Sequence, residues 1–366
     1  MKQLGIMKIG LITPLATKDC GTWEALRAGK CVELGTAVEE WALAEMVAGM
    51  PASVRDAVQA KDGRGLDKSI RLAIAAAGLA GGGDDPAAGL FCGTSKGPTY
   101  TMLAALELLR GGKALPARMA EQVALGVGAI GPMVQRALGL KGSVHTSVAA
   151  CSSGLHALHR AVRALEEGEC GRAVVVAADA SLHPLFEGAF ERLGVLAPAD
   201  ERGVRRCVPF DPEGKGFFVS EAAVAMVVER SPTATPIAWL ERTWIGGDST
   251  GLIAMDAETR TLRAGLRACA GEGEMAFVHA HATGTMHDLQ EIKAIRGIFG
   301  GVSVFSHKGK LGHTLGAAGL IAVALSALCH QHGQTLEGQV VTPGGRSLTV
   351  AQGFGGHIAI ARLRSA

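Results

Sequence analysis

Three side chains in this 366-residue sequence stand where they could do covalent and proton chemistry together: Cys151, His281 and His313. Cys151 lies in Thr146-Ser147-Val148-Ala149-Ala150-Cys151-Ser152-Ser153-Gly154, after a predicted strand and at the first turn of an Ala/Leu-rich helical run. A thiol at a helix N-terminus faces unpaired backbone N–H groups and the positive end of the helix dipole, which favour the thiolate. Its small neighbours leave room for a substrate. Cysteine is also among the commonest core residues, so only the placement argues for a nucleophile. His281 ends another predicted strand and enters the turn Ala282-Thr283-Gly284-Thr285, while His313 follows Gly312 at the head of a helix. A lone loop histidine reads equally well as a hydrogen-bonded packing residue. Three such residues at strand-to-helix switch points would, however, gather at the carboxyl ends of strands, where open α/β sheets form their sites.

The elements that must position them alternate between short β-branched runs and longer Ala/Leu runs, the pattern of helices packed on sheets. The predicted strands cover 5–13, 88–93, 142–147, 173–178, 222–229, 237–244, 276–280, 302–306 and 356–362. The predicted helices cover 22–28, 67–79, 99–109, 119–138, 152–168, 258–270, 288–298 and 313–330. The order repeats. A strand, a turn and the helix opening at Cys151 in the first half match a strand, a turn and the helix opening at His313 in the second. The Pro- and Thr-interrupted stretch Ser231-Pro232-Thr233-Ala234-Thr235-Pro236 divides the chain into halves 1–231 and 232–366.

With 48% hydrophobic and 19% charged residues, the chain is too apolar to be disordered and long enough for one large core or two. Aromatics at 4% and a net charge of +2 argue against a base-stacking or polyanion-binding surface, so no nucleic-acid partner is expected. The eight cysteines show no C-x-x-C and no zinc-ligand spacing, which points to no metal and to a reducing cytoplasm. The N-terminal residues lack a signal-peptide pattern. The longest apolar stretch, Leu315 to Cys329, falls short of the roughly 20 residues needed to span a bilayer, so no membrane association is expected.

One stretch turns these observations into a family resemblance. Lys308-Gly309-Lys310-Leu311-Gly312-His313-Thr314-Leu315-Gly316-Ala317-Ala318-Gly319 resembles the K-x-x-x-G-H-x-x-G-A-A-G signature of the β-ketoacyl-acyl-carrier-protein synthases. Ala150-Cys151-Ser152-Ser153-Gly154 resembles their A-C-[ST]-[ST]-G nucleophile motif, and His281-Ala282-Thr283-Gly284-Thr285 their H-G-T-x-T. Weaker matches are Thr13-Pro14-Leu15, Phe190 with Val195-Leu196-Ala197, Pro209-Phe210-Asp211 with Gly216-Phe217 and Glu221, and Gly353-Phe354-Gly355-Gly356. The resemblance runs from Thr13 to Gly356 in the family's order. It implies an α/β thiolase fold, two βαβαβαββ halves in a five-layered α-β-α-β-α arrangement, in agreement with the duplication read from the elements.

The resemblance also implies roles. Cys151 would take an acyl group from a carrier-protein thioester. His281 and His313 would donate N–H bonds to the enolate formed as a malonyl thioester loses CO2. The backbone N–H groups of Cys151 and Phe354 would form the oxyanion hole, with Phe354 gating the acyl pocket. Lys308 would pair with Glu291 in support, Glu221 would support the site from its own motif, Thr283 and Thr285 would bind the pantetheine amides, and Phe190 would line the acyl pocket. No cofactor of the enzyme's own is implied, because the substrate carries phosphopantetheine. The sequence has no asparagine, which excludes a Cys-His-Asn triad. Departures from the pattern include Ala282, Lys215, Ser220 and Ala222, and the 285–288 spacing is one residue short. They suggest a specialised synthase.

The reading is thus a decarboxylative Claisen condensation, giving a β-ketoacyl-carrier protein in fatty-acid, polyketide or polyene synthesis. The alternative is a non-catalytic, chain-length-determining partner of a heterodimer, a role in which the nucleophile is usually replaced. Expected partners are an acyl carrier protein and either a second copy or a related subunit. Arg64, Lys68 and Arg71, at helical spacing, resemble the family's basic docking patch, with Arg205 and Arg206 near the same entrance.

Overall fold

The computed structural model of the chain describes residues 3–16, 21–32, 37–59 and 65–366. Ten strands build it: β1 (Leu4–Ile12), β2 (Gly89–Gly93), β3 (Val144–Ser147), β4 (Arg172–Asp179), β5 (Ala222–Arg230), β6 (Ala238–Gly247), β7 (Met275–His279), β8 (Ser303–Phe305), β9 (Arg346–Gly353) and β10 (His357–Ser365). Their hydrogen-bonded order is β3-β2-β4-β5-β1-β6-β10-β9-β7-β8.

That order is a palindrome of two equivalent halves. In the first, β2 pairs in parallel with β3 and β4, and β5 pairs antiparallel with β4 and β1. In the second, β7 pairs in parallel with β8 and β9, and β10 pairs antiparallel with β9 and β6. The halves join through the short antiparallel pairing of Leu4–Ile6 with Ala238–Leu240. The duplication expected from element order is therefore a duplication of topology.

Strand burial explains why the sequence shows apolar runs rather than alternation. Along β4, Val175 and Ala177 face a central core while Val174 and Val176 face an outer one. The central core holds the helices Ser153–Glu167 and Ala318–Gln331, which pack on strands of both halves. On the outside of the first half lie the helices Lys68–Leu79 and Ile130–Leu138; on the outside of the second lie Arg260–Ala270 and His287–Phe299. Helices, half-sheet, central helices, half-sheet and helices make the five layers. The helix Ala318–Gln331 is apolar on every side because it is buried on every side.

Several elements differ from the sequence-based expectation. The helix predicted over 119–138 is two helices, Ala117–Leu125 and Ile130–Leu138, separated by a 3-10 turn where Gly126 adopts φ +56°. β9 was not predicted, because its polar Ser347 and Thr349 break the apolar run. Both are buried and bonded to the central helix: His330 Nε2 lies 2.8 Å from Ser347 Oγ, and Ser326 Oγ 3.2 Å from Thr349 Oγ1. The helices Glu40–Met46, Ala52–Gln59 and Pro184–Arg192 were also not predicted. Among the described residues no helix is long and apolar enough to cross a membrane.

Candidate active site

The two central helices begin later than the sequence implies, and the delay builds the site. Cys151 occupies a 3-10 turn, Ala150–Ser152, ahead of the helix Ser153–Glu167; His313 precedes a matching turn, Leu315–Ala317, ahead of Ala318–Gln331. Each turn opens on a non-glycine residue with positive φ, Ala150 at +47° and Leu315 at +48°. Such conformations cost on the order of 1 to 3 kcal/mol and persist where the surroundings over-determine them. Around Cys151 the constraint is the Gly353-Phe354 turn: a Cβ on Gly353 would come within 2.7 Å of the Ala149 oxygen and 3.0 Å of the Cys151 nitrogen.

His313 is fixed by its backbone. Its N–H donates to the Phe218 carbonyl at 2.8 Å, and its carbonyl accepts from the Ser220 N–H at 3.1 Å. The Phe217 ring meets the imidazole edge-on at 4.9 Å, and His281 lies 5.6 Å from His313, ring centre to ring centre. His281 is held from both sides of its peptide. The Glu291 carboxylate accepts from the His281 N–H at 2.8 Å and the Ala282 N–H at 2.9 Å, while the Lys308 ammonium donates to the His281 carbonyl. The direct Lys308–Glu291 ion pair expected by resemblance is not what forms; the two buried charges meet across the His281 peptide instead.

Cys151, His281, His313, Phe354, Phe190, Thr283, Thr285 and Glu291 all line one pocket, about 630 Å³ including its open mouth. Phe217, Val195 and Gln352 complete much of its wall. The Thr283 turn is clamped by a residue to which sequence reasoning gave no role, Asp288, whose carboxylate accepts from the N–H groups of Thr283 at 2.8 Å and Gly284 at 2.7 Å. The signal available was Thr285-x-x-Asp288 ahead of a helix, a capping spacing. Asp179 was likewise missed. It joins the two halves by accepting from the N–H groups of Ser95 at 2.9 Å and Gly316 at 2.7 Å.

Electrostatics in the pocket are governed by burial. It pushes both imidazoles well below their ordinary 6.5, and the nearby Lys308 ammonium adds to the effect, so His281 and His313 are neutral N–H donors. The Cys151 thiol is pushed up to about 11 by burial, against the lowering influence of Lys96, Lys308 and its own backbone N–H. The lowered thiol expected from the helix terminus is thus reversed, because desolvation outweighs the dipole. Burial lifts the Glu291 carboxyl to about 7, with Asp288 raising it further.

The docking patch is corrected more sharply. Arg64 lies outside the described residues. Lys68 turns inward to the fully buried Glu221, with Nζ 2.5 Å from Oε2, and the same oxygen accepts from the Val38 N–H at 3.1 Å. Glu221 therefore supports the fold beneath the site rather than lining the pocket. Arg71 is bound to the Val58 carbonyl and to Glu40. Arg205 donates to the Ala197 carbonyl and pairs with Glu191. Arg206 is exposed, next to Cys207, whose sulfur packs on Gly284 of the Thr283 turn. Among the described residues no group of three or more His, Cys, Asp or Glu side chains is arranged to hold a metal.

Comparisons with known proteins place the sequence in a family and the fold beside solved structures. The sequence matches the family described as "Beta-ketoacyl synthase, N-terminal domain" over residues 2–234 and "Beta-ketoacyl synthase, C-terminal domain" over 248–338. It is 34% identical over 219 residues to erythronolide synthase EryA3 of Saccharopolyspora erythraea, covering 54% of this chain and 7% of that protein. It is 30% identical over 239 residues to nodulation protein E of Rhizobium sp. (strain N33), covering 60% of this chain and 54% of that one. This chain thus spans little more than half of one relative and a small part of the other. In fold it resembles the ishigamide ketosynthase/chain length factor at TM-score 0.81 and 20% identity, over 100% of this chain and 99% of that one. It also resembles the ketosynthase ApeO in complex with its chain length factor ApeC from Xenorhabdus doucetiae, at TM-score 0.80 and 22% identity, over 100% and 98%.

Proposed function

The chain belongs to the β-ketoacyl synthase family, and from that membership and its pocket we propose that it catalyses decarboxylative condensation on carrier-protein thioesters. The observation that carries the proposal is one pocket holding a thiol, two neutral imidazoles and a hydroxyl-lined turn. Cys151 Sγ attacks the thioester carbonyl carbon, a new C–S bond forms, and the carrier's pantetheine thiol leaves. A malonyl-carrier protein then enters past Thr283 and Thr285. Its C–CO2 bond breaks, the electron pair passes into an enolate whose oxygen accepts from His281 and His313, and CO2 departs. The carbanion attacks the acyl-Cys carbonyl. The oxyanion is held by the N–H groups of Cys151 and Phe354, and Cys151 leaves as a thiolate. Phe190 borders the acyl chain.

The phosphopantetheine arrives with the substrate, so the reaction needs no cofactor of the enzyme's own. Polyketide synthesis is the favoured setting, since relatives such as ThaG of Burkholderia thailandensis and gloL of Glarea lozoyensis are polyketide synthases by name. The docking surface for the acidic carrier protein centres on Arg206 beside the Thr283 turn. Assembly with a second copy or a chain length factor is part of the proposal, the latter supported by structural neighbours of that composition. The seven free cysteines among the described residues fit a reducing cytoplasm. A non-catalytic role is the weaker reading, because nucleophile and both imidazoles are present.

Mass spectrometry after incubation with acyl- and malonyl-carrier proteins tests the proposal. An acyl adduct on the Cys151 peptide and an extended β-ketoacyl product support it. An unmodified Cys151 with no extended product refutes it.

A further inference from the structure

A cation rests on Phe190, one of the rings that line the acyl pocket, and the family resemblance does not account for it. Lys96 lies in the loop between β2 and the helix Thr99–Arg110, and its ammonium sits 5.3 Å from the Phe186 ring centre and 5.4 Å from that of Phe190. Phe190 lines the pocket with Cys151 and meets Phe217 edge-on at 5.9 Å; Phe217 in turn meets His313. The ammonium therefore rests on the aromatic wall that bounds both nucleophile and imidazole.

The loop is held in that position. Ser95 donates its N–H to Asp179 Oδ2, the same oxygen that accepts from Gly316, three residues after His313. The Gly97 N–H donates to Thr94 Oγ1 at 3.1 Å, and Gly97 turns the chain with φ +70°. Lys96 itself makes no close ion pair among the described residues; its charge acts on the nearby Asp179 carboxylate, which the backbone N–H groups of Ser95 and Gly316 hold. A partly buried ammonium without an ion-pair partner acts on whatever charge develops nearby, over a range that low-dielectric surroundings extend.

We propose that Lys96 is a positioning residue for acyl transfer: its ammonium, seated on Phe186 and Phe190 in the aromatic cluster that also holds Cys151, supplies positive charge to the site where the sulfur attacks. The proposal rests on Cys151 being the nucleophile. The charged and titratable groups around that sulfur are Lys96 and Lys308, which favour its ionisation, Asp179, which opposes it, and the neutral His281 and His313 across the pocket. Lys96 heads the groups that counter the burial of the thiol, and it helps Lys308 keep His313 uncharged. Lys308 is already committed to the His281 carbonyl.

The test is alkylation of Cys151 by iodoacetamide, in which the thiolate displaces iodide, read by mass spectrometry of the Cys151 peptide across pH 6 to 10. Lys96→Met should slow alkylation at neutral pH about tenfold, equivalent to displacing the profile by about one pH unit. Lys96→Arg, which keeps the charge, should restore most of the rate. Superimposable profiles for Lys96→Met and the unsubstituted protein would overturn the proposal. So would an equal loss in Lys96→Arg, which would mark the residue as a packing element. Alkylation needs no carrier protein, so this outcome is read independently of whether condensation occurs. A parallel acyl-carrier assay reports on the latter.

Discussion

Lys308 and Glu291 grip one peptide from opposite sides: the ammonium donates to the His281 carbonyl while the carboxylate accepts from the N–H of the same peptide, that of Ala282. A buried ammonium and a buried carboxyl thereby fix the backbone of the residue whose side chain faces the pocket. Lys308→Met should leave the carbonyl without its donor and Glu291 without its cation. The first loss alone is worth about 1 to 3 kcal/mol. Decarboxylation of malonyl-carrier protein should fall along with the thermal midpoint. A variant with unchanged midpoint and CO2 release would show that the grip is dispensable.

Glu291 should also impose a pH dependence on stability. Its folded carboxyl titrates near 7 against an ordinary 4.5, so the folded chain binds this proton more tightly than the unfolded one. The contribution is complete below the lower value and is lost as pH rises through the upper, a change of about 3 kcal/mol. Denaturant titrations of Glu291→Gln should be flatter across that window than those of the unsubstituted protein. Parallel curves would contradict the assignment.

The imidazoles should not titrate in the working range. Because burial holds His281 and His313 well below 6.5, malonyl decarboxylation should show no loss with a midpoint near 6.5 as pH falls. His281→Ala or His313→Ala should still accept an acyl group yet lose the enolate donor, about 3 to 4 kcal/mol of barrier. Normal CO2 release from either variant would remove that residue from the mechanism.

Cys151→Ala should abolish the covalent acyl adduct with the fold intact, since the site is small and apolar. Gly353→Ala should damage the same step without touching the thiol, because its methyl would enter the space between Ala149 and Cys151. Acyl-enzyme stoichiometry and the thermal midpoint, measured together, separate the two effects.

Lys68 and Arg206 should behave oppositely. Lys68→Met strands the buried Glu221 charge, which costs about 3 to 5 kcal/mol when one partner of a buried pair is removed. Its readout is the thermal midpoint. Arg206→Glu should leave the midpoint unchanged while raising KM for acyl-carrier protein and weakening its salt dependence, because exposed charges mainly steer encounter. A small pantetheine thioester should be turned over as before. Equal loss on both substrates would make Arg206 structural.

What the sequence determined by itself were features written in local residue order. The strand-turn-helix units ending at Cys151, His281 and His313, the repeat of their order and the motifs around them follow from neighbours a few residues apart. These carry the apolar periodicity and the turn chemistry. What only the tertiary structure decided depends on groups distant in the chain. Lys68 reads as a surface charge until Glu221, just ahead of β5, is placed beside it. β9 reads as a polar loop until its Ser347 and Thr349 meet the central helix. Cys151 reads as an acidified thiol until burial is set against the helix terminus, and the cations that oppose burial come from the loop after β2 and from beyond β8. Desolvation and long-range charge are properties of the packed molecule, so local sequence cannot assign them.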